Sequence, residues 1–186
     1  MMKSTNVKGL YIINDFLDQE EETEIIKEMN KCKWIDNRQG DRKVQVYGPY
    51  HDRHYKIIPN KYSKHPEWVK KLAKKVHDSI NDSNKHKLLD EKNCEVFVNQ
   101  YKNFQGLQYH FDHLGTYDEN IYGVSLNTNG FMGFKKNKEL YKVPISARSM
   151  YIMGGDSRKE YKHGILYQCH VYIPEKNINM ALIKDG

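Results

Sequence analysis

Three residues with metal-binding side chains are spaced so that they could hold one metal ion. His110 and Asp112 are separated by a single residue, Phe111. Side chains two positions apart point to the same face of a β-strand, so this imidazole and this carboxylate can reach one ion. His163 would supply a third ligand. His113 is left out of the set, because it falls on the strand face opposite His110.

Two histidines and one carboxylate form the facial triad of non-haem Fe(II) oxygenases, which leaves positions for oxygen and for a chelating cosubstrate. The competing interpretation is that these three residues bind no metal ion. The chain has nine histidines, so His-x-Asp pairs arise by chance, and His110 could be a surface or structural residue. His163 is flanked by Tyr161-Lys162 and could equally be structural. Spacing alone leaves both interpretations open.

Composition favours one ordered, soluble domain over residues 1–186. The chain contains 14 Tyr, which argues against disorder, and it has no run of the ~20 apolar residues that a membrane span needs. Cys32, Cys94 and Cys169 show neither a disulfide framework nor zinc-site spacing, so we expect a reducing compartment, cytoplasmic or nuclear. The N-terminus lacks the apolar run of a secretory signal. We expect a monomer with no membrane partner.

Net charge is +6 and is concentrated in one segment, since residues 31–75 carry 13 Lys and Arg but four Asp and Glu. Such a segment favours a polyanion such as nucleic acid. A solvated, lysine-rich face would have the same composition. Charge alone does not separate these interpretations.

The chain divides into a helical first half and a strand-rich second half. Gly9 to Phe16 is typical of a strand, and Asp18 with Glu21 forms a capping box for a first helix. A second helix is predicted from Pro66, with an apolar stripe. Its stripe is Val69, Leu72, Ala73, Val76 and Ile80.

Short β runs are predicted at 94–101, 107–112, 121–126, 130–134, 140–145, 149–153, 166–173 and 178–183. The pattern predicts an α+β fold, a double-stranded β-helix (jelly roll) over 94–183 with two N-terminal helices packed outside. The intervening segment 36–63, rich in Gly, Pro, Tyr and charge, is predicted to be strand and loop.

Several short runs share their order and spacing with one known family. They are Gly9-Leu10-Tyr11 to Phe16-Leu17, Asn99-Gln100-Tyr101, His110-x-Asp112, Ile121 to Leu126, Phe131-Met132-x-Phe134, Gly154-Gly155-Asp156-Ser157-Arg158 and His163-Gly164-Ile165. Together they resemble the AlkB family of Fe(II)/2-oxoglutarate dioxygenases over nearly the whole chain. The resemblance implies Fe(II) and 2-oxoglutarate as cofactors, and His110, Asp112 and His163 as catalytic iron ligands.

The resemblance also implies the residues that bind the cosubstrate. Asn99, Tyr101 and Asn179 match groups that hydrogen-bond 2-oxoglutarate. The family's final strand carries two arginines for this cosubstrate, but the aligned positions here are Asn177 and Ile183. Neither an amide nor an isoleucine can replace a bidentate guanidinium, so we expect weak 2-oxoglutarate binding. The candidate replacement cations are Lys184, which would need a strand bulge, Arg148 and Arg158.

Segment 36–63 resembles the nucleotide-recognition lid of the family, closest to the branch that hydroxylates modified wobble uridines of tRNA. Arg42, Lys43, Gln45 and Tyr47 are the predicted substrate-binding residues of this segment. Arg158 is counted with them as a substrate-binding candidate, and it is also expected to orient the site. The alternative is that Tyr47 packs on the sheet, the lysines are solvated and Arg158 is an ordinary surface residue.

Two functions remain. The first is a dioxygenase that hydroxylates or demethylates a modified base in nucleic acid, with RNA or tRNA favoured over DNA as partner. The second is a degenerate AlkB-like domain that binds nucleic acid without turnover, because the 2-oxoglutarate arginines are missing.

Overall fold

The structure is a computed structural model that describes residues 2–37, 42–51, 54, 56–81, 85–102, 105–165, 168–173 and 178–183. Its first half contains β1 (Met2–Ser4), β2 (Leu10–Ile13), α1 (Gln19–Lys31), β3 (Ile35–Asn37), β4 (Arg42–His51), β5 (Ile57–Ser63), α2 (Glu67–Ser79) and a 3-10 helix (Lys85–Leu89). Its second half contains β6 (Val96–Gln100), β7 (Leu107–His110), β8 (Ile121–Val124), β9 (Gly130–Lys136), β10 (Glu139–Ile145), β11 (Met150–Met153), α3 (Asp156–Lys159), β12 (Lys162–Ile165), β13 (Gln168–Ile173) and β14 (Ile178–Ile183).

Two four-stranded antiparallel sheets make up most of the second half. Their strand orders are β1-β2-β11-β8 and β10-β9-β12-β7, so the chain passes repeatedly from one sheet to the other between β7 and β12. Both sheets contribute to a shared core. Its buried residues are Val7, Leu10, Met132, Phe134, Val143, Ile145, Met153 and Tyr161. Burial of apolar side chains from both sheets holds the sheets face to face.

A third sheet, β3-β4-β5 with β6 paired to β4, packs together with the helices. The core at this contact comprises Phe16, Leu17, Ile25, Met29, Tyr47, Trp68, Val69, Val76, Ile80 and Met150. The rings of Tyr47 and Trp68 meet edge to face, with centroids 5.9 Å apart. This core therefore joins α1 and α2 to β4 and β11.

The helix-start signals agree with the structure. Asp18 caps α1 by accepting the Glu21 backbone N–H at 2.8 Å, while the Glu21 carboxylate accepts the Asp18 N–H at 2.9 Å, as the predicted capping box requires. Helix α2 begins at Glu67, one residue later than predicted, because Pro66 takes the extended conformation of an N-cap. The predicted apolar stripe is the buried face of α2, including Val69 and Val76.

Each predicted β run after residue 93 contains a strand. The observed bounds differ from the predicted ones next to the metal ligands. Strand β7 ends at His110, so Asp112 lies in the following loop and not in the strand. Strand β12 was not predicted, since Lys162-His163-Gly164-Ile165 has little apolar alternation. Its Gly164 lies so close to β7 that an added Cβ would be 2.5 Å from the Leu107 carbonyl oxygen. Glycine is therefore needed for this strand pairing.

Candidate metal centre

The pairing of β7 with β12 brings the two predicted histidine ligands together. His110 and His163 are direct cross-strand partners, and their ring centroids are 4.4 Å apart. Asp112 approaches both, with its carboxylate oxygens 3.6 Å from His110 Nε2 and 3.4 Å from His163 Nε2. One ligand atom from each of the three residues lies within 4.8 Å of the others. This donor set fits an Fe(II) ion with one anionic and two neutral protein ligands.

The hydrogen bond at His110 selects the tautomer that a metal ligand needs. His110 Nδ1 lies 2.8 Å from the Gln108 carbonyl oxygen, to which it donates. The Nε2 lone pair is then directed towards Asp112 and the shared ligand position. Metal-binding histidines commonly donate their second ring nitrogen to a carbonyl in this way, which fixes the ring orientation.

Electrostatics favour the protonation states that bind a cation at two of the three ligands, His163 and Asp112. Burial lowers the pKa of His163 to about 4, so its imidazole is neutral at physiological pH. For Asp112, burial raises the pKa, but the contact with His110 and the electrostatic effects of His163, His110 and Arg158 outweigh it and leave the pKa lowered. Asp112 is therefore an anion. Burial lowers the pKa of His110, but contacts with Asp112 and Gln108 more than offset it, so that pKa is raised.

Arg158 fixes the loop that carries Asp112. Its side chain is 2% exposed, and Nη1 donates to the Asp112 carbonyl oxygen at 2.8 Å. The guanidinium also lies 3.4 Å from the carbonyl oxygens of His113, Tyr117 and Asp118. The structure therefore places Arg158 in an orienting role. Arg158 is too deeply buried to contact a substrate directly, so its position disagrees with the substrate-binding prediction. It also disagrees with the alternative that Arg158 is an ordinary surface residue.

The glycine-rich run before Arg158 shapes the turn that presents it. Buried Ser157 lies with its hydroxyl 3.0 Å from the Gly9 and Gly154 carbonyl oxygens, linking α3 to the start of β2. Gly9 has φ +85°, and a Cβ there would lie 2.2 Å from the Gly154 carbonyl oxygen. The position of Gly9 therefore excludes larger residues.

Asn99, Tyr101 and Arg42 form a polar group on one face of the β4–β6 pair. Val44 pairs with Asn99 in this register, so Arg42 and Val44 share the face of Asn99 and Tyr101. Arg42 Nε donates to Asn99 Oδ1 at 2.8 Å, and Asn99 is exposed. Burial raises the pKa of Tyr101 to about 12, which the positive charge of Arg42 partly opposes.

The other predicted lid residues point away from this face. Alternation along β4 turns Lys43, Gln45 and Tyr47 towards the helices. Gln45 is 2% exposed, and its Nε2 donates to the Met29 carbonyl oxygen at 2.9 Å, where it satisfies the C-terminal end of α1. The Tyr47 hydroxyl donates to Gln45 Oε1 at 3.0 Å. Gln45 and Tyr47 are therefore core residues, and their assignment to substrate binding was wrong.

Replacing Gln45 with alanine is expected to lower the free energy of unfolding by about 1–3 kcal/mol, because buried polar groups lose their partner. Gln100→Ala is the matched control. Gln100 is exposed on the same strand pair, so its change should stay within about 0.5 kcal/mol. Denaturant unfolding measures both. Equal stabilities combined with weaker substrate binding by Gln45→Ala would restore the substrate assignment.

The remaining predicted groups are placed as follows. Asn179 lies in β14, where its backbone pairs with Tyr172, and its side chain is not described. Lys184 and Asn177 lie outside the described residues. Arg148 forms an ion pair with buried Glu22 of α1, with an N–O distance of 3.3 Å. Arg148 therefore supports the helix.

Tyr151 was missed by the sequence reasoning. Burial raises its pKa, and the charges of Tyr101 and Asp112 act in the same direction, so its hydroxyl belongs to the interior that these residues share. Its ring crosses β8 at Gly123, where an added Cβ would be 2.0 Å from the ring. The available signal was a glycine inside an otherwise apolar strand, which often marks close approach by another group.

Comparison with known proteins agrees with this site. Residues 9–177 match the family described as the 2OG-Fe(II) oxygenase superfamily. The chain belongs to this superfamily of non-haem Fe(II)/2-oxoglutarate dioxygenases. The expected AlkB resemblance, enzyme class and cofactors are thereby confirmed, and relatives named for AlkB-type proteins are among the matches.

Three relatives illustrate the range of matches. Uncharacterized protein L905 of Acanthamoeba polyphaga mimivirus is 34% identical over 89% of this chain and 76% of its own length. A DNA N6-methyl adenine demethylase of Caenorhabditis elegans is 24% identical over 88% of this chain and 56% of its own. A Xenopus tropicalis tRNA (carboxymethyluridine(34)-5-O)-methyltransferase, alkbh8, is 26% identical over 84% of this chain and 25% of its own.

Solved structures support the fold. OsALKBH1 superimposes with a TM-score of 0.62 at 16% identity, covering 94% of this chain and 91% of that one. A prolyl hydroxylase from Trichoplax adhaerens gives a TM-score of 0.52 at 16% identity, with 86% and 78% covered. Within the described part of the chain, no helix combines the length and apolar character needed to cross a membrane.

Proposed function

We propose that this protein hydroxylates or demethylates a modified base in nucleic acid, with RNA or tRNA as the preferred substrate. The observation that carries the proposal is the His110–Asp112–His163 cluster, and the polar face of Asn99 and Tyr101 adds hydrogen-bonding groups for a cosubstrate. Relatives named for DNA demethylation and for tRNA modification support the substrate class. The basic segment 31–75 gives a polyanion a place to bind.

Residues of this chain have distinct tasks in such a reaction. His110, Asp112 and His163 would hold Fe(II), and Arg158 keeps the Asp112 loop in place. Asn99 and Tyr101 offer hydrogen bonds to 2-oxoglutarate. When bound, iron and 2-oxoglutarate would supply the chemistry that oxidises an alkyl carbon of the base with molecular oxygen, with 2-oxoglutarate converted to succinate. Hydroxylation of an N-alkyl carbon would give an unstable product whose C–N bond breaks, releasing the alkyl group as an aldehyde and leaving N–H on the base, whereas a hydroxyl on a carbon not bonded to nitrogen would be retained.

The proposal includes the finer architecture. The two sheets would form the double-stranded β-helix of one domain, residues 1–186, with α1 and α2 outside it and segment 36–63 as the lid. The alternation of β7 to β12 between sheets supports this arrangement. We place the protein in the cytoplasm or nucleus as a monomer. Size-exclusion chromatography with light scattering tests the oligomeric state.

The activity is tested by measuring succinate release with iron, 2-oxoglutarate and a panel of alkylated oligonucleotides and tRNAs. His110→Ala is the control, because it removes a metal ligand. We expect release that depends on the nucleic acid and is lost in the variant. No release across a broad panel would contradict the proposal.

The second candidate is a domain that binds nucleic acid without turnover, and it is motivated by Asn177 and Ile183 in the final strand. It predicts salt-dependent oligonucleotide binding that survives His110→Ala. Turnover that His110→Ala abolishes would eliminate this candidate.

We expect weak 2-oxoglutarate binding, because the final strand carries Asn177 and Ile183 where the family has arginines. Calorimetric titration into the Mn(II)-loaded protein, which cannot turn over, measures it. Lys184→Ala tests whether that lysine contributes. Arg148→Ala and Arg158→Ala are expected to affect stability more than cosubstrate affinity, because both side chains are engaged elsewhere. Tight binding unaffected by all three substitutions would place the anchor on another residue.

A further inference from the structure

A cosubstrate with a second carboxylate needs a positive charge near the place where that carboxylate is buried. An unpaired buried anion is costly, whereas a guanidinium provides charge-assisted hydrogen bonds. Asn99 and Tyr101 supply hydrogen bonds but no charge. The final strand has no arginine at either aligned position, Asn177 or Ile183. Lys184 follows Ile183 but lies outside the described residues, so within the described part of the chain a cation that holds 2-oxoglutarate has to come from another element.

The arginines of the second half are already engaged. Arg148 is paired with buried Glu22 of α1. Arg158 is buried against backbone carbonyl oxygens of the Asp112 loop. Moving either guanidinium to a cosubstrate would break these contacts. Neither can serve as the anchor without a cost to the fold.

Arg42, unlike Arg148 and Arg158, lies next to the predicted cosubstrate residues. It begins β4, next to β6, and its Nε donates directly to Asn99 Oδ1 at 2.8 Å. This bond orients the Asn99 amide and holds the guanidinium on the face that Asn99 and Tyr101 share. The guanidinium also lies close enough to Tyr101 for its positive charge to oppose the burial that raises the pKa of that hydroxyl.

We propose that Arg42 supplies the cation for the distal carboxylate of 2-oxoglutarate, in place of the arginines that the final strand lacks. This inference rests on the proposed function, since it requires 2-oxoglutarate to bind at this site. It gives Arg42 a cosubstrate role where the lid resemblance implied contact with nucleic acid. The anchor thus comes from the first half of the chain, and lid and cosubstrate site share one strand.

The test is calorimetric titration of 2-oxoglutarate into Mn(II)-loaded wild type, Arg42→Ala and Lys43→Ala. Lys43 is the matched control, because it is adjacent and equally charged but lies on the opposite face of β4. We expect Arg42→Ala to weaken 2-oxoglutarate binding by about ten-fold or more and Lys43→Ala to change it less than about two-fold. Arg42→Lys should recover part of the loss, as it keeps the charge without the fork.

A second ligand shows whether the distal carboxylate is the group recognised. 2-Oxopentanoate has the same carbon chain and 2-oxo acid end but no distal carboxylate, so Arg42→Ala should leave its affinity unchanged. Mn(II) affinity and the unfolding midpoint, measured on the same samples, should match wild type and would exclude a folding defect.

Equal 2-oxoglutarate affinity in wild type and Arg42→Ala would overturn the inference while leaving the proposed function standing. So would equal losses in the Arg42 and Lys43 variants, which would indicate a general effect of charge. Reduced oligonucleotide affinity with unchanged 2-oxoglutarate affinity would assign Arg42 to the substrate instead. Absence of 2-oxoglutarate binding by the wild type would defeat both the inference and the proposed enzymatic function.

Discussion

Asp112→Ala is expected to abolish specific Fe(II) binding and leave the fold intact. Asp112 is the anionic member of the triad, and its carboxylate lies within 3.6 Å of both histidine Nε2 atoms. Without it, two neutral ligands face an uncompensated cation. Metal affinity should fall well beyond the roughly 10–100-fold typical of losing a group that merely supports a ligand. Anaerobic Fe(II) titration measures the loss.

The fold should survive because Arg158 binds the backbone carbonyl of Asp112, which alanine retains. Asp118→Ala is the matched control. Asp118 lies in the same loop, but its carboxylate is paired with Lys87 at the surface. Its removal should leave Fe(II) affinity unchanged. Equal Fe(II) affinity in wild type and Asp112→Ala would rule out the triad.

Local signals predicted the elements well because they depend on neighbours in sequence. The Asp18–Glu21 capping box, the apolar stripe of α2 and the β runs after residue 93 each need only a few consecutive residues. The sequence predicted that Asp112 lies near His110 because residues two apart share one face of a β-strand, but that reason holds only in part. Asp112 is beyond the end of β7, and it is Arg158, 46 residues away, that holds its loop. Spacing alone contains no such tertiary contact.

The lid shows a second limit of sequence reasoning. Alternation predicts that Arg42 and Gln45 lie on opposite faces of a strand, but it does not say which face is covered by helices. That depends on the pairing of β4 with β6 and on the ends of α1, where Gln45 binds the Met29 carbonyl. The sequence therefore identified a basic strand and could not separate its core residues from its site residues.

Arg158→Ala is expected to destabilise the protein by about 3 kcal/mol and to weaken Fe(II) binding by about 10–100-fold. The side chain is 2% exposed, so its loss leaves four part-buried carbonyl oxygens of residues 112–118 without this donor. The loop then no longer holds the Asp112 carboxylate against the histidines. Arg158→Lys should not rescue either property, because an ammonium group cannot span several carbonyls as the planar guanidinium does.

Lys159→Ala tests whether the expected losses of stability and Fe(II) affinity are caused by removing Arg158 itself or by removing any positive charge from α3. Lys159 is the next residue, but it is exposed and paired with Glu119. Its removal should change stability and Fe(II) affinity little, since exposed ion pairs contribute weakly. Thermal unfolding and Fe(II) titration, run on both variants, give the comparison. If Arg158→Ala lost stability but bound Fe(II) as tightly as wild type, Arg158 would support the fold without positioning Asp112. Loss of oligonucleotide affinity alone would instead make it a substrate-binding residue.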